Sequence, residues 1–315
     1  MEPAQDTVYL GATDLRISPL GIGTMAWGGG LIWTYGRTGY TEADLEHAFQ
    51  ASLAAGINFF DTAEVYGGGK SEQALGRLIK AHQAPVVVAT KFMPFPWRLQ
   101  RQSLLDALKR SLDRLGLSQV DLYQIHWPLP PVPITTWMAA LADAIKAGLV
   151  RAVGVSNYNV EQMRRAHAAL AQRGIPLASN QVQYSLLARA PERNGLLAAC
   201  RELGITLIAY SPLAQGLLTG KYDPANPPSG ALGFLVSRRR LAQIQPLIAL
   251  LREIGQAHGK TPAQVALNWL VCKGAVPIPG AKTGRQAQEN AGALGWRLTE
   301  AEVAALDAAS EPLQA

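Results

Sequence analysis

Asp61, Tyr66, Lys91 and His126 are the residues of this chain whose types and positions could do chemistry together. Each stands at or just beyond a short apolar run that reads as a β-strand. INFF precedes Asp61, PVVVAT precedes Lys91, VDLYQI precedes His126, and Tyr66 follows Asp61 in the same loop. A barrel of parallel strands would gather all four at one mouth, because eightfold β/α barrels carry their active sites at the C-terminal ends of the strands. A phenol beside an ammonium and an imidazole suits reduction of a carbonyl: the phenol donates a proton, the ammonium stabilises the phenolate left behind, and the imidazole fixes the oxygen. With an ordinary pKa near ~10, a phenol is a reluctant acid at neutral pH and needs that help. Asp61 would keep Lys91 charged and oriented by pairing with it. Taken singly, each residue has a plainer use. Asp61 could cap a helix, Tyr66 could be a half-buried aromatic, Lys91 a solvated loop end and His126 a core histidine. The case for chemistry rests on their joint placement after strands.

The elements that must position them follow from alternation. Eight apolar runs are separated by helical patterns, the signature of repeated βα units around a parallel sheet. They are LGIG near Leu20, INFF near Ile57, VVVA near Val86, DLYQI near Leu122, VRAVGV near Val153, SNQVQ near Val182, ITLIAY near Ile205 and AVPI near Val276. Between them, Leu105, Leu108, Leu112 and Leu115, and again Trp137, Leu141 and Ile145, recur at helical spacing. Gly56, Gly116, Gly148, Gly174 and Gly204 each stand where a helix should end in a left-handed residue before the next strand. The opening VYLGATDLRISPL reads as a β-hairpin across the barrel floor, turning at Gly11 to Asp14. Tyr222 to Gly233 reads as a mobile loop rich in Pro and Gly. Near the C-terminus an added helix is predicted, with Thr299 as N-cap and Glu302 completing a capping box. The expected architecture is therefore a (β/α)8 TIM barrel with an N-terminal β-hairpin and an additional C-terminal helix, forming one domain over residues 1–315.

Composition narrows the function classes. With 48% hydrophobic and 17% charged residues, the 315-residue chain can bury a large core. Neither a leader-like N-terminus nor a run near the ~18 apolar residues of a membrane helix is seen, so a cytoplasmic protein without membrane partners is expected. The two cysteines, Cys200 and Cys272, lack metal-type spacing and read as small packing residues, so no metal is expected. The net charge of +6 is a modest excess that would attract a phosphorylated ligand. No basic stripe interleaved with aromatics suggests nucleic acid, and the one dense cluster, Arg238 to Arg240, reads as an exposed helix face. Oligomeric state is not legible.

Seven separated segments carry a family resemblance: TDLRISPLGIGTMAWG, GINFFDTAEVYGGGKSEQALG, VVVATK, DLYQIHWP, GVSNY, AYSPLAQGLLTGKY and IPGAKTGRQAQENAGAL. In this order they resemble the aldo-keto reductases over nearly the whole chain, from Val8 to Ser310. The resemblance implies an oxidoreductase that binds a nicotinamide cofactor without a Rossmann domain. It assigns Asp61, Tyr66, Lys91 and His126 as the catalytic tetrad, and a histidine in fourth place resembles the family's carbonyl reducers. It also implies that Ser156, Asn157 and Gln181 meet the carboxamide while Tyr210 stacks on the nicotinamide. Ser211, Pro212, Leu213, Gly216, Leu218 and Lys221 would cover the pyrophosphate. Gly280, Lys282, Gln286, Glu289 and Asn290 would hold the adenosine end. Lys282, with Arg285 nearby, favours NADPH over NADH, although many relatives carry an arginine where Gln286 stands. Among the tryptophans, Trp27, Trp33, Trp97 and Trp127 are candidate pocket walls, whereas Trp137, Trp269 and Trp296 read as packing residues. The expected substrate is a small-molecule carbonyl: aldehydes, with ketones and the reverse alcohol oxidation also allowed by the chemistry. Two alternatives remain open at this point: a cofactor-binding, redox-sensing regulatory subunit with slow turnover, and a Schiff-base lyase using Lys91. The second is disfavoured because Asp61 would keep the amine charged.

Overall fold

The computed structural model describes residues 7–29 and 39–314; Trp33 lies outside them. A two-stranded antiparallel hairpin, β1 (Val8–Tyr9) and β2 (Arg16–Ile17), precedes an eight-stranded parallel sheet. The sheet runs in chain order through β3 (Ile22–Gly23), β4 (Phe59–Asp61), β5 (Val87–Phe92), β6 (Val120–Ile125), β7 (Val150–Ser156), β8 (Leu177–Gln183), β9 (Thr206–Tyr210) and β10 (Val276–Pro277). Backbone hydrogen bonds from Gly21 to Pro277 and from Gly23 to Pro279, with a parallel bridge between Gly23 and Gly280, bring the first strand against the last. All eight predicted strands are found, and the predicted glycines end their helical stretches with positive φ: Gly56, Gly116, Gly148, Gly174 and Gly204.

Helices α1 (Glu42–Ala54), α2 (Lys70–His82), α3 (Arg101–Leu115), α4 (Ile134–Lys146) and α5 (Val160–Ala171) each follow one of the strands β3 to β7. After β8 come the short α6 (Ala190–Arg193) and α7 (Leu196–Glu202). After β9 come α8 (Gly230–Leu235), α9 (Arg238–His258) and α10 (Pro262–Cys272), and after β10 come α11 (Gly284–Ala291) and α12 (Glu300–Ser310). The capping box at Thr299 and Glu302 starts α12 as expected.

One feature differs from the sequence reading. The predicted irregular loop at Tyr222 to Gly233 gives way to α8 from Gly230 onward, because the small and apolar residues after Pro228 form a helical turn that the preceding Pro and Gly content obscured. Helix α9 packs against α12; its buried Leu241, Ile244, Leu247, Ile248, Leu251 and Ile254 recur at three and four residues and form its core-facing stripe. The Arg238–Arg240 cluster opens α9, with Arg238 and Arg239 exposed and Arg240 donating to the Leu313 carbonyl at 2.7 Å.

Strand alternation divides the core. One set of side chains packs between sheet and helices; the other, from Phe59, Val87, Ala89, Leu122, Ala152, Ala178, Ile208, Val276 and Ile278, fills the barrel's lower interior. Leu10, Leu15 and Ile17 of the hairpin join this inner set, so the hairpin plugs the floor, as the sequence suggested. Because the side-chain period of a strand is two, the inward row continues upward from Phe59 to Asp61, from Ala89 to Lys91 and from Leu122 to Gln124. Apolar below and polar above, one barrel interior thus becomes floor and site.

Candidate active site

The four predicted residues meet at the mouth. Lys91 Nζ donates to Asp61 Oδ2 at 2.5 Å, to the Thr62 carbonyl at 2.8 Å and to the Tyr66 hydroxyl at 3.3 Å. His126 stands edge-on to Tyr66, with ring centroids 5.8 Å apart. Both partners of the Lys91–Asp61 ion pair are buried, so each would be costly to leave unmatched. Burial opposes the Lys91 charge, yet Asp61 and then Tyr66 outweigh it and hold the ammonium above its ordinary range. The Tyr66 phenol is held above its ordinary range: burial raises it most, Lys91 offsets part of that, and Asp61 raises it further. His126 is pushed down to about 3, first by burial and then by the charge of Lys91, so its imidazole is neutral at physiological pH. Its Nδ1 is buried without a hydrogen-bond partner among the described residues.

Local structure explains why Tyr66 sits where it does. The Tyr66–Gly69 turn passes so close to the loop after β3 that a Cβ on Gly67 would lie 2.1 Å from the Gly28 carbonyl oxygen, and Gly67 itself has φ of 59°. Only glycine combines that backbone with that approach. On the other side, Glu64 ties the Tyr66 loop to the loop after β5: its carboxylate accepts from the Met93 amide at 2.7 Å and pairs with both Arg98 terminal nitrogens. The loops bearing Tyr66 and following Lys91 are thereby fixed to each other.

The predicted cofactor residues form a connected rim. Ser156 donates to the Gln181 carbonyl at 2.8 Å, Asn157 donates to the His126 carbonyl at 3.0 Å, and Tyr210 donates to Asn157 Oδ1 at 3.0 Å. Gln181 turns its amide inward, donating to Asp61 Oδ1 at 2.7 Å. Asn157, Ser211, Ala214 and Gln215 all have positive φ without being glycine. Such strained backbone concentrates where binding sites over-determine it. Pro212 and Leu218 are buried, which leaves the backbone of their loop, with Ser211, Leu213, Gly216 and Lys221, as the part that can face a ligand. Lys282 lies half-buried over the Tyr40 ring, 5.3 Å from its centroid, and burial followed by the charge of Lys221 lowers its ammonium. Two cations close enough to repel suit an anion between them. Gln286 accepts from the Lys282 amide at 2.8 Å, and Asn290 donates to the Gly280 carbonyl at 3.2 Å; both support the loop in this arrangement. Glu289 is partly exposed beside them on α11, its carbonyl accepting from Gln264.

Residues 19–311 match the model of the Aldo/keto reductase family. The chain belongs to that family. Among its relatives, the chloroplastic pyridoxal reductase of Arabidopsis thaliana is 45% identical over 311 residues, spanning 94% of this chain and 84% of that protein. The aldo/keto reductase fold is matched in solved structures. A thermostable aldo-keto reductase crystallised with the inhibitor epalrestat superposes with a TM-score of 0.79 at 33% identity, covering 96% of this chain and 99% of its own. An aldo/keto reductase from Klebsiella pneumoniae, in complex with NADP and acetate, gives 0.76 at 28% identity, covering 97% and 95%.

Within this aldo/keto reductase, the tryptophans divide differently from the sequence reading. Trp27 is 2% exposed and donates to the Ala281 carbonyl at 2.7 Å, so it braces the barrel seam rather than lining an open pocket. Trp97 and Trp127 are 72% and 41% exposed, and Trp97 stacks on Phe95 with ring centroids 4.6 Å apart. Trp137 and Trp269 are buried packing residues, as expected, and Trp296 is partly so. Gln124 went unpredicted: it donates to Asp61 Oδ1 at 3.3 Å. Its signal was present, since an amide on the inward face of an otherwise apolar strand must find a partner.

Proposed function

We propose that this aldo/keto reductase reduces aldehydes, with ketones also within its chemistry, to alcohols with NADPH as the preferred cofactor, from a cytoplasmic location. When bound, the cofactor supplies the hydride. The observation that carries the reading is the placement of one buried ammonium between a carboxylate at 2.5 Å and a phenol at 3.3 Å. Tyr66 donates its proton to the carbonyl oxygen as negative charge develops there, and Lys91 stabilises the phenolate that remains. Asp61 holds the Lys91 ammonium in place and charged. His126, neutral, orients the carbonyl oxygen by hydrogen bonding from its ring.

The rim residues fit the cofactor. Ser156, Asn157 and Gln181 offer hydroxyl and amide groups to a carboxamide, and Tyr210 offers a flat face to its ring. The left-handed backbone around Ser211 to Gly216 permits close approach of peptide groups to a pyrophosphate, with Pro212, Leu213, Leu218 and Lys221 completing that segment. Gly280 and Lys282 lie on the loop before α11 and Gln286, Glu289 and Asn290 on the helix itself, whose N-terminal end suits an anion; Lys282, with Lys221 near it, would grip a 2′-phosphate.

Pyridoxal is the first substrate to test, on the strength of the Arabidopsis relative's name. The experiment is a panel of aldehydes and ketones, pyridoxal included, scored by NADPH and NADH consumption for the wild type and for Tyr66→Phe. NADPH-dependent turnover of at least one aldehyde is expected, falling about 10²- to 10⁴-fold in Tyr66→Phe with the fold intact. Undiminished turnover in the variant would remove Tyr66 from the reaction.

A further inference from the structure

Asp61 Oδ1 is held by two amides, not one. Gln181 donates to it at 2.7 Å and Gln124 at 3.3 Å, while Oδ2 is given to Lys91. Gln124 is itself anchored: Ser179 donates its hydroxyl to Gln124 Oε1 at 3.2 Å. All three of these polar side chains are buried, and Gln124 and Ser179 have no exposed surface.

The barrel has been shaped to let this chain form. Lys91, Gln124, Gly154 and Ser179 are successive partners in register across β5, β6, β7 and β8, so they form one row around the barrel wall. Glutamine and serine come from strands separated by β7, and their side chains meet only because β7 presents a glycine between them. A Cβ on Gly154 would lie 2.2 Å from Ser179 Oγ and 3.1 Å from Gln124 Cγ. The register also shifts at this point: Val153 pairs with Leu177 but Gly154 pairs with Ser179, so β8 carries one extra residue. A bulge of this kind re-aims a side chain. Here Ala178 packs in the inner core while its neighbour Ser179 reaches Gln124, which strict alternation would forbid.

We propose that Gln124, anchored by Ser179 in the gap left by Gly154, is a positioning residue for Asp61, fixing the carboxylate so that Oδ2 stays on the Lys91 ammonium. The proposal rests on the reading in which Lys91 and Tyr66 form the proton-donating pair. Its physical content is the division of labour between the two amides. Gln181 also borders the rim assigned to the carboxamide, so its amide has a second destination. Gln124 lies a layer deeper, with Ser179 on its oxygen and Asp61 on its nitrogen, and is the donor that remains when Gln181 turns away. Removing it leaves a buried carboxylate oxygen short of a donor, and the negative charge felt by Tyr66 grows. Asp61 already works against ionisation of the phenol, as burial does, so the Tyr66 titration moves upward when Asp61 loses a donor. The groups facing Tyr66 in this balance are Lys91, Asp61, Tyr210 and the neutral His126.

Gln124→Leu and Ser179→Ala test this against wild type, with Tyr66→Phe as the reference that assigns the Tyr66 signal in ring-carbon NMR of labelled tyrosines. For Gln124→Leu we expect cofactor affinity within twofold, kcat about tenfold lower, and an upward shift both in the Tyr66 titration and in the pH at which alcohol oxidation reaches half its plateau. Ser179→Ala should move the same readings in the same direction by less. Unshifted titrations and unchanged kcat in both variants would overturn the proposal. If Gln124→Leu does not fold, Ser179→Ala decides alone by the same criterion. Should the wild type reduce no carbonyl, the functional reading fails, and the NMR titration, which requires no substrate, still decides the role of Gln124.

Discussion

The two ends of the site are built from different materials. At the end proposed to carry the chemistry, Asp61, Lys91 and Gln124 are inward-facing strand residues with almost no exposed surface, locked by hydrogen bonds to one another and to backbone. At the end proposed to meet the cofactor phosphates, Lys221 and Lys282 sit on loops, one exposed and one half-buried, the Lys282 backbone donating to Gln286 of α11. Charge in the first region is matched internally, a carboxylate against an ammonium. In the second, two ammonium groups oppose each other. The first pairs opposite charges inside the fold, whereas the second brings two like charges within reach of each other. Perturbing the first should therefore cost stability as well as rate, and perturbing the second should cost affinity alone.

The largest expected effect tests the first half of that contrast. Lys91→Met strands the Asp61 carboxylate in a dry interior and should lower unfolding free energy by about 3–5 kcal/mol, with turnover lost, as read by denaturant titration. Pairing it with Asp61→Leu should restore much of the stability but none of the activity. If Lys91→Met costs nothing in stability, the pair is not the buried lock described. Lys282→Ala addresses the other half: the Michaelis constant for NADPH should rise about tenfold or more while that for NADH changes little, with unfolding unaffected. Equal effects on both cofactors would show that Lys282 does not read the phosphate.

A smaller effect separates the regions by pH. The His126 imidazole is lowered from 6.5 to about 3 in the folded protein, so below about pH 6.5 the unfolded chain binds a proton that the folded chain refuses. Stability contributed by neutral His126 is thus present above that value and is lost progressively as pH falls toward 3. Thermal unfolding across this window should show a shallower decline in His126→Gln than in wild type. Identical slopes would mean that His126 is not held neutral. Lys282, lying in the other region and lowered instead at the alkaline side, should leave this window untouched.

Much of this was legible in the sequence, and unevenly so. The strands declared themselves because each is a short apolar run ended by a polar residue, and the post-strand rule then pointed to Asp61, Lys91 and His126 without any coordinates. Tyr66 needed the loop geometry that Gly28 and Gly67 provide, which a sequence shows only as two glycines far apart. The Arg238–Arg240 cluster marks only the exposed opening turn of α9; the length of that helix is set by the regular apolar stripe from Leu241 to Ile254. Trp27 was misjudged since position after a strand does not tell whether an indole faces the mouth or the seam. Gln124 and Ser179 could not be paired at all from sequence: their meeting depends on a register shift in β8, and no local pattern in LASNQVQ announces that Ala178 is the extra residue.

The hairpin that closes the bottom has a kinetic corollary. With Leu10, Leu15 and Ile17 packed into the inner core, the buried ammonium and carboxylate are shut off from water on the hairpin side. If Tyr66 is the acid proposed above, the proton it gives up is replaced from the side of the mouth, so recharging the acid is tied to emptying that mouth.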